Sequence, residues 1–457
     1  MIPVKLKRSL GLVGCLAGIG GAAGVALGGG PFALGVMAAG VLLAQGLLVD
    51  ISPTKIPVVM LHSVVAKRDD KPKLFDLWCP PAMFEGYLKY LKWRGYSTIT
   101  LRQMYDHLDH GASIPEKPVI LTFDDGYLDN WVYAAPLLEK YGFTGTVFMP
   151  SDFIQPGEEV RPTIKDVWEG RIKEEELQPY GYLNRAELRA ASASGVLDIQ
   201  CHGKTHTWLP VSEKVIGFHH PRTRMRDLRW MWWNRHVDRK PFWHTELDAA
   251  GVPWGAPIYE NKLALSHKAL QPDPGLEQHL TNYVADRGGE SFFEESEWWK
   301  KLSYEVEQYR AKNPTTAELE SDEEFRERLL DEMRGCREAI EAVTGKEAPF
   351  MCWPNGGVCP EAFDLCKEAG ILAATLPSRM KQPRNHLGTR PERIGRISGS
   401  SYFRGVLKVA PWVFSFAVKL ERNRGIVYME IPIKAVWLYR RFVPPSGQDP
   451  HGSGAAG

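Results

Sequence analysis

The amino-acid sequence predicts an α/β barrel. From Ile56 onward, short apolar runs alternate with amphipathic segments, which is typical of successive βα units. The run Pro118–Phe123 is too continuously apolar for a half-exposed strand and is therefore predicted to be a buried parallel strand. At 457 residues, the chain is long enough for one such barrel with additional segments.

The predicted barrel units follow one another along the chain. The predicted strands are Ile56–Leu61, Ser97–Thr100, Pro118–Phe123, Thr144–Met149, Leu197–Cys201, Ala348–Trp353 and Ile371–Thr375. The predicted helices are Met83–Arg94, Ala134–Tyr141, Asn184–Ser194, Ser321–Val343 and Pro360–Ala369. Ser321 and Glu324 have the spacing of a capping box, and glycines such as Gly195 mark helix ends.

Charge and cysteine content exclude some functional classes. The 56 Lys and Arg nearly balance the 55 Asp and Glu, so electrostatics gives no reason to expect a nucleic-acid partner. The seven cysteines are an odd set without CxxC spacing. Neither a disulfide framework nor a thiolate zinc site is therefore indicated.

The N-terminal residues 1–52 predict a membrane anchor. Ser9–Val49 contains no charged side chain and follows Lys5, Lys7 and Arg8. Glycines and a proline at 28–31 would divide this segment into a hairpin that returns the chain to the same, cytoplasmic, side. Alternatively, one half spans the membrane and the basic cluster stays inside. The barrel would then face the periplasm or the cell exterior.

The remaining residues divide into a barrel, an insertion and a tail. We assign residues 53–400 to the barrel and about 208–320 to a tryptophan-rich insertion of irregular pattern. The tryptophans favour either a packed cover or a platform for sugar rings. Residues 401–457 predict a basic, amphipathic tail, which is either a solvated helix face or a contact with anionic lipid. Nothing in the sequence indicates an oligomeric state.

Polar residues follow three of the predicted strands: Asp124-Asp125, His202 with His206, and Trp353-Pro354-Asn355-Gly356. In an α/β barrel these strand ends meet at one face. Two imidazoles four residues apart can bind one ion, and a carboxylate as third ligand leaves a position open for water. One aspartate would bind the ion and its neighbour would take a proton. Taken singly, the aspartates could form an ordinary turn and the histidines a surface pair.

These motifs resemble the polysaccharide deacetylase family, which is also called the NodB-homology group or carbohydrate esterase family 4. Thr122-Phe123-Asp124-Asp125-Gly126 and His202-x-x-x-His206 resemble its first two motifs. The ordered resemblance continues through Trp353-Pro354-Asn355-Gly356 and covers most of residues 56–396, apart from the insertion. It implies a distorted (β/α)7 barrel and hydrolysis of N-acetyl groups on a glycan or a lipid-linked sugar.

The resemblance also implies roles for individual residues. Asp124 corresponds to the general base, and Asp125, His202 and His206 to the metal ligands. The implied metal is Zn²⁺, with Co²⁺ or Ni²⁺ as alternatives. Asn355, with Trp353 on the same turn, is the positional candidate for substrate and oxyanion contacts.

The sequence departs from the family pattern at several positions. Gly203 replaces the usual Ser or Thr, and Asn355 replaces an aromatic residue. The arginine that orients the base is absent from the third motif, so Asp124 is expected to lack this partner. No late Leu-x-His motif supplies the general acid, and His62 is preferred over His386 as its substitute. A non-catalytic glycan-binding barrel and an O-acetyl esterase remain as alternative functions.

Overall fold

The structure is a computed structural model that describes residues 54–66, 78–245, 251–377, 380–399 and 411–426, together with Val36. Apart from Val36, the predicted membrane segment Ser9–Val49 lies outside these residues. Among the helices that are described, none combines the length and apolar character needed to cross a bilayer.

Seven strands of the main sheet lie close to their predicted positions, and its last two strands were not predicted. The strands are β1 Val58–Leu61, β2 Ser97–Thr98, β3 Pro118–Phe123, β4 Gly145–Met149, β5 Leu197–Cys201, β10 Phe350–Met351, β11 Ala373–Thr375, β12 Arg393–Ile394 and β13 Ile397–Ser398. The strands of the insertion are β6 Trp208–Phe218, β7 Pro257–Leu263, β8 Leu270–Gln271 and β9 Glu318–Leu319.

The main sheet is parallel and curls back on itself. Its eight-strand path runs β12-β11-β10-β5-β4-β3-β1-β13, and β2 pairs with β3 beside that path. The two ends of the path, β12 and β13, are separated in the chain by Gly395 and Arg396 alone. The edges of the sheet must therefore approach each other at this seam. Seven strands were expected, and the sheet has nine because the two-residue strands β12 and β13 add to the seven at the seam.

Most of the helices belong to the barrel, and the three between residues 225 and 312 belong to the insertion. The helices are α1 Pro81–Trp93, α2 Leu101–His110, α3 Ala135–Tyr141, α4 Ile164–Trp168, α5 Arg185–Ser194, α6 Met225–Arg235, α7 Pro274–Ala285, α8 Trp298–Lys312, α9 Asp322–Leu330, α10 Cys336–Thr344, α11 Pro360–Leu365 and α12 Pro411–Arg424. Ser321 and Glu324 form the predicted capping box of α9. The helix predicted over 321–343 is interrupted by a π-helical turn, Asp331–Gly335.

Alternate strand residues divide between two apolar clusters. Ile120 and Phe148 belong to a cluster that also includes residues of α2. Leu121 and Val147 belong to the larger cluster formed with the other barrel helices. The strands are therefore buried on both faces, which explains their continuous apolar runs.

The insertion is more regular than the sequence suggests. β6 and β7 form an antiparallel hairpin, and α7 and α8 bury Leu280 and Leu302 in a small core of their own. Trp232, Trp233 and Trp243 are fully buried in the main core instead. These contacts join residues that lie far apart in the sequence. Local periodicity therefore does not reveal them.

The described part of the C-terminal region packs against the barrel. Phe416 of α12 stacks on Tyr87 of α1 with ring centroids 4.2 Å apart. The buried Glu421 accepts a 2.9 Å hydrogen bond from the Tyr90 hydroxyl. Residues 427–457 lie outside the described part, and lipid contact by the tail stays a prediction.

Candidate metal centre

The first motif places two carboxylates directly after the buried strand β3. The backbone amide of Asp124 donates to the carbonyl of Leu61 at the end of β1, at 3.0 Å. Asp125 and Gly126 both adopt left-handed backbone conformations, with φ of 74° and 67°. This turn directs the two neighbouring carboxylates to different partners. Positive φ at an aspartate is uncommon, and such backbone strain concentrates at functional sites.

Asp125, His202 and His206 converge on one point. Oδ1 of Asp125 lies 3.0 Å from His202 Nε2 and 3.2 Å from His206 Nε2. The ligand atoms of all three residues lie within 4.8 Å of one another. His202 places its Nδ1 2.8 Å from the carbonyl of Cys352, and this contact turns Nε2 toward Asp125. One carboxylate and two oriented imidazoles form a donor set that fits a divalent ion such as zinc.

A second group of possible ligands lies beside the first. Asp124, His202 and Cys352 also have ligand atoms within 4.8 Å of one another. However, the Arg396 guanidinium already contacts Asp124 at 2.7 Å and the Cys352 sulfur at 3.0 Å. A fixed positive charge opposes cation binding there, so we take Asp125, His202 and His206 as the candidate metal set.

Arg396 corrects the expectation that Asp124 lacks an orienting arginine. The residues before Pro354 in the third motif are Cys352 and Trp353, so no arginine stands there. Arg396 lies at the seam between β12 and β13 and donates through Nη1 to Oδ1 of Asp124. Its guanidinium therefore contacts the Asp124 carboxylate from the end of a different strand, β12. The residue is 272 positions from Asp124, so no local motif could reveal the pairing.

The two aspartates are both held in the ionised form. Burial alone would raise the pKa of Asp124, but the charges of Arg396, His62 and His202 outweigh it and keep the pKa below its usual value. Burial likewise opposes ionisation of Asp125, but hydrogen bonds from His202 and His206 bring its pKa well below the usual value. Two charged carboxylates are therefore available, one in the metal set and one next to it.

His62 lies on the other side of Asp124. Its Nε2 is 3.8 Å from Oδ2 of Asp124, and its side chain is 14% exposed against 4% for Asp124. The loop that carries it is fixed by Asp129, which accepts hydrogen bonds from Ser63 Oγ and the Val64 amide. His62 is therefore at the site and more accessible than the aspartate.

The other candidates occupy different settings. Asn355 is exposed on the turn after β10 and has a positive φ of 49°. The Trp353 ring is only 1% exposed and packs edge-to-face on Phe363. Its indole is thus part of the core in this structure, and the substrate roles of both residues stay predictions. His386 contacts the carbonyl of its neighbour Leu387 through Nδ1.

The insertion contributes directly to the wall of the site. The ring centroid of His206 lies 6.0 Å from that of Trp233 and 6.2 Å from that of Trp208. Arg229 stacks over Trp208 at 3.9 Å. The tryptophans of the insertion therefore enclose one of the proposed metal ligands.

Fold and geometry together define a class of protein: a parallel α/β barrel with an Asp-His-His centre and a second carboxylate at the carboxyl ends of its strands. Residues 111–227 match the family model described as polysaccharide deacetylase. This segment contains Asp124, Asp125, His202 and His206. The resemblance of this chain to the polysaccharide deacetylase family is thereby confirmed.

One bacterial protein with a similar sequence carries the same family name. YxkH of Bacillus subtilis (strain 168), whose name places it among the polysaccharide deacetylases, is 38% identical over 97 residues. That match covers 21% of this chain and spans about a third (32%) of the length of YxkH.

Two solved structures are similar over most of the chain. A de-N-acetylase from Aggregatibacter actinomycetemcomitans aligns at 16% identity and a TM-score of 0.45, covering 75% of this chain and 94% of that one. The BpsB deacetylase domain from Bordetella bronchiseptica aligns at 15% identity and a TM-score of 0.43, covering 77% and 97%.

Proposed function

We propose that this protein is a metal-dependent deacetylase that hydrolyses N-acetyl groups on a glycan or a lipid-linked sugar. The products are acetate and a free amine. The main support for the proposal is that two adjacent aspartates have different partners. Asp125 faces two imidazoles at 3.0 and 3.2 Å, whereas Asp124 is ionised, paired with Arg396 and outside that set.

Asp125, His202 and His206 would hold a divalent ion, which we propose to be Zn²⁺, with Co²⁺ or Ni²⁺ as alternatives. When bound, such an ion supplies Lewis-acid chemistry by polarising the acetyl carbonyl and lowering the pKa of a water molecule. The carboxylate and imidazole donors suit each of these three metals.

Asp124 is the general base in this proposal. It takes a proton from water as the water oxygen bonds to the acetyl carbon. Arg396 fixes Oδ1, so Oδ2 is the oxygen that accepts the proton. His62, 3.8 Å from that oxygen, donates a proton to the nitrogen as the carbon–nitrogen bond breaks. Asn355 and Trp353 remain the proposed residues for contacts with the substrate and with the developing oxyanion.

Acetate release tests the proposal. Purified protein is incubated with N-acetylglucosamine oligomers before and after treatment with a chelator, and again after zinc is restored. We expect release that the chelator abolishes, that zinc restores and that Asp124→Asn lacks. The absence of metal-sensitive release from both N-acetylated oligomers and N-acetylated glycolipids would contradict the proposal.

Two alternative functions are separated by the same assay. The absence of an arginine from the third motif and of a late Leu-x-His motif favours a non-catalytic glycan-binding barrel. Arg396 removes the first of these two supports because it pairs with Asp124 at 2.7 Å. Glycan binding that is identical in the parent and Asp124→Asn, without turnover in either, would support the binder. An O-acetyl esterase would release acetate from esters but leave the amides intact.

We further propose that residues 1–52 anchor the protein in a membrane. The long uncharged segment after Lys5, Lys7 and Arg8 supports this, and the barrel would face the periplasm or cell exterior if one half spans. Protease access to tags at either end on intact cells distinguishes this topology from a hairpin with a cytoplasmic barrel. Recovery of the untreated protein in the soluble fraction would contradict anchoring.

A further inference from the structure

The backbone carbonyls of all three residues between the two histidines accept hydrogen bonds. Gly203 adopts a left-handed conformation with φ of 74°, and its carbonyl accepts from the Ser151 amide at 3.3 Å. The carbonyl of Lys204 accepts from the Asp152 amide at 3.0 Å. The carbonyl of Thr205 accepts instead from a buried side chain, the ammonium of Lys240, at 2.9 Å.

The amides of the loop point to a single carboxylate. Oε2 of Glu332 accepts from the Lys204 amide at 2.9 Å and from the Thr205 amide at 3.0 Å. Its other oxygen accepts from the Thr205 hydroxyl. Glu332 is only 2% exposed and lies in the π-helical turn Asp331–Gly335, a distortion that is frequent at functional sites.

A glycine at position 203 suits the conformation and the surroundings of this loop. A Cβ at position 203 would lie 3.1 Å from Cγ of Pro354 and 3.4 Å from Oε2 of Glu332. The contact with Pro354 would be tight, and a φ of 74° would strain a residue with a side chain at this position. Gly203 therefore fits the narrow space between Pro354 and Glu332.

Lys240 belongs to the tryptophan-rich insertion. It lies in the 3₁₀ segment Val237–Phe242, is 1% exposed, and also forms a 2.9 Å ion pair with Asp152. The adjacent Pro241 carbonyl accepts a 3.0 Å hydrogen bond from Gln155 of the barrel. The insertion is thus fastened to the same barrel turn that holds the histidine loop.

We propose that Lys240 and Glu332 are positioning residues that fix the His202–His206 loop for metal binding, so that the insertion acts as a structural part of the metal centre. This inference rests on the proposed metal-dependent function. Both residues contact the loop backbone between the two imidazoles. Removing either contact leaves buried polar groups unpaired and lets the two ring nitrogens move apart.

The test measures metal binding rather than turnover. Zinc affinity is determined by competition with a chromophoric chelator for the full-length parent, Lys240→Met and Glu332→Leu. Each variant is expected to bind zinc about 10- to 100-fold more weakly. The visible absorption of the Co²⁺-loaded protein reports ligand geometry and is expected to change in both variants. Glu332→Gln, which keeps an acceptor oxygen, is expected to restore affinity and spectrum toward those of the parent.

Matched controls separate positioning from general destabilisation. Lys300→Met removes an exposed lysine of the same insertion, and Glu338→Leu removes an exposed glutamate from α10. Both are expected to bind zinc like the parent. Circular dichroism of the metal-free proteins shows whether each variant is folded, and Thr205→Val, which removes one hydroxyl contact, replaces a variant that does not fold.

The possible outcomes are distinct. Weaker zinc binding and an altered Co²⁺ spectrum in folded Lys240→Met, Glu332→Leu or Thr205→Val support the inference. Parental affinity and spectrum in these folded variants overturn it while leaving the metal centre intact. A parent protein that binds none of zinc, cobalt or nickel overturns the proposed metal-dependent function itself, and the inference with it.

Discussion

Arg396 and Asp124 form a 2.7 Å ion pair at the seam of the barrel, where β12 and β13 bring the two edges of the sheet together. Asp124 is buried and Arg396 is partly buried, with 4% and 10% of their side chains exposed. The pair leaves Oδ2 of Asp124 for contacts with His62 Nε2, at 3.8 Å, and with the Cys352 sulfur, at 3.4 Å. The curling of the sheet therefore positions the proposed general base together with its motif.

Replacing Arg396 should reduce turnover without removing the metal. Arg396→Gln frees the Asp124 carboxylate to rotate, and misplacement of a catalytic group by about 1 Å can cost roughly 100-fold in rate. We expect a loss of kcat of about that size, with zinc content unchanged. Arg390→Gln, an exposed change three residues before β12, serves as the control. Equal kcat for Arg396→Gln and the parent would show that the pair has no role in catalysis.

Replacing His62 should affect substrates according to their leaving groups. If His62 protonates the departing amine, His62→Gln is expected to lower kcat on N-acetyl sugars by about 10²- to 10⁴-fold. An activated aryl acetate, whose leaving group needs no proton, should be affected far less. His386→Gln is the matched control. A loss of equal size on both substrates would count against His62 as the acid.

Asp129 should make stability depend on pH. Burial raises the pKa of this carboxyl from 3.8 to about 7, against the opposing hydrogen bonds from Ser63, Val64 and Asn130. Between these two pKa values the folded protein binds more protons than the unfolded chain. The free energy of unfolding should therefore fall as pH rises through this window, by up to about 1.4 kcal/mol per pH unit.

Urea unfolding between pH 4 and pH 8 measures this contribution of Asp129. The stability of the parent relative to Asp129→Asn should decline up to about pH 7 and then level off. Cys79 and Tyr133, whose charges would act on Asp129, stay neutral in this range because burial raises the pKa of each. The exposed Asp286→Asn is the control. Parallel stability curves for Asp129→Asn and the parent would rule out a raised pKa.

The sequence predicts the parts of the site that depend on local patterns. The continuous apolar run of β3 predicts a buried strand. It therefore also predicts that Asp124 and Asp125 lie at the carboxyl end of that strand. The i, i+4 spacing of His202 and His206 predicts that both rings can face one point. These features are visible because each lies within a few residues of a recognisable strand end.

Contacts between distant segments could not be predicted in this way. Glu332 lies 128 positions from Lys204 and appears in the sequence as one of several glutamates on a helix. Lys240 lies 35 positions from Thr205, within a region crowded with tryptophans that shows no clear periodicity. Arg396 lies at the end of the family resemblance, but nothing in its immediate sequence links it to Asp124. Its partner became evident only from the seam of the sheet.

Metal content is the most direct test of the account. The parent, Asp124→Asn, Asp125→Asn and His206→Ala are loaded with zinc and dialysed, and bound metal is measured by mass spectrometry. We expect about one ion per chain in the parent and in Asp124→Asn, which keeps the Asp-His-His donors. The other two variants should retain almost none. Equal metal content in Asp125→Asn and the parent, or loss in Asp124→Asn alone, would contradict the division of roles between the two aspartates.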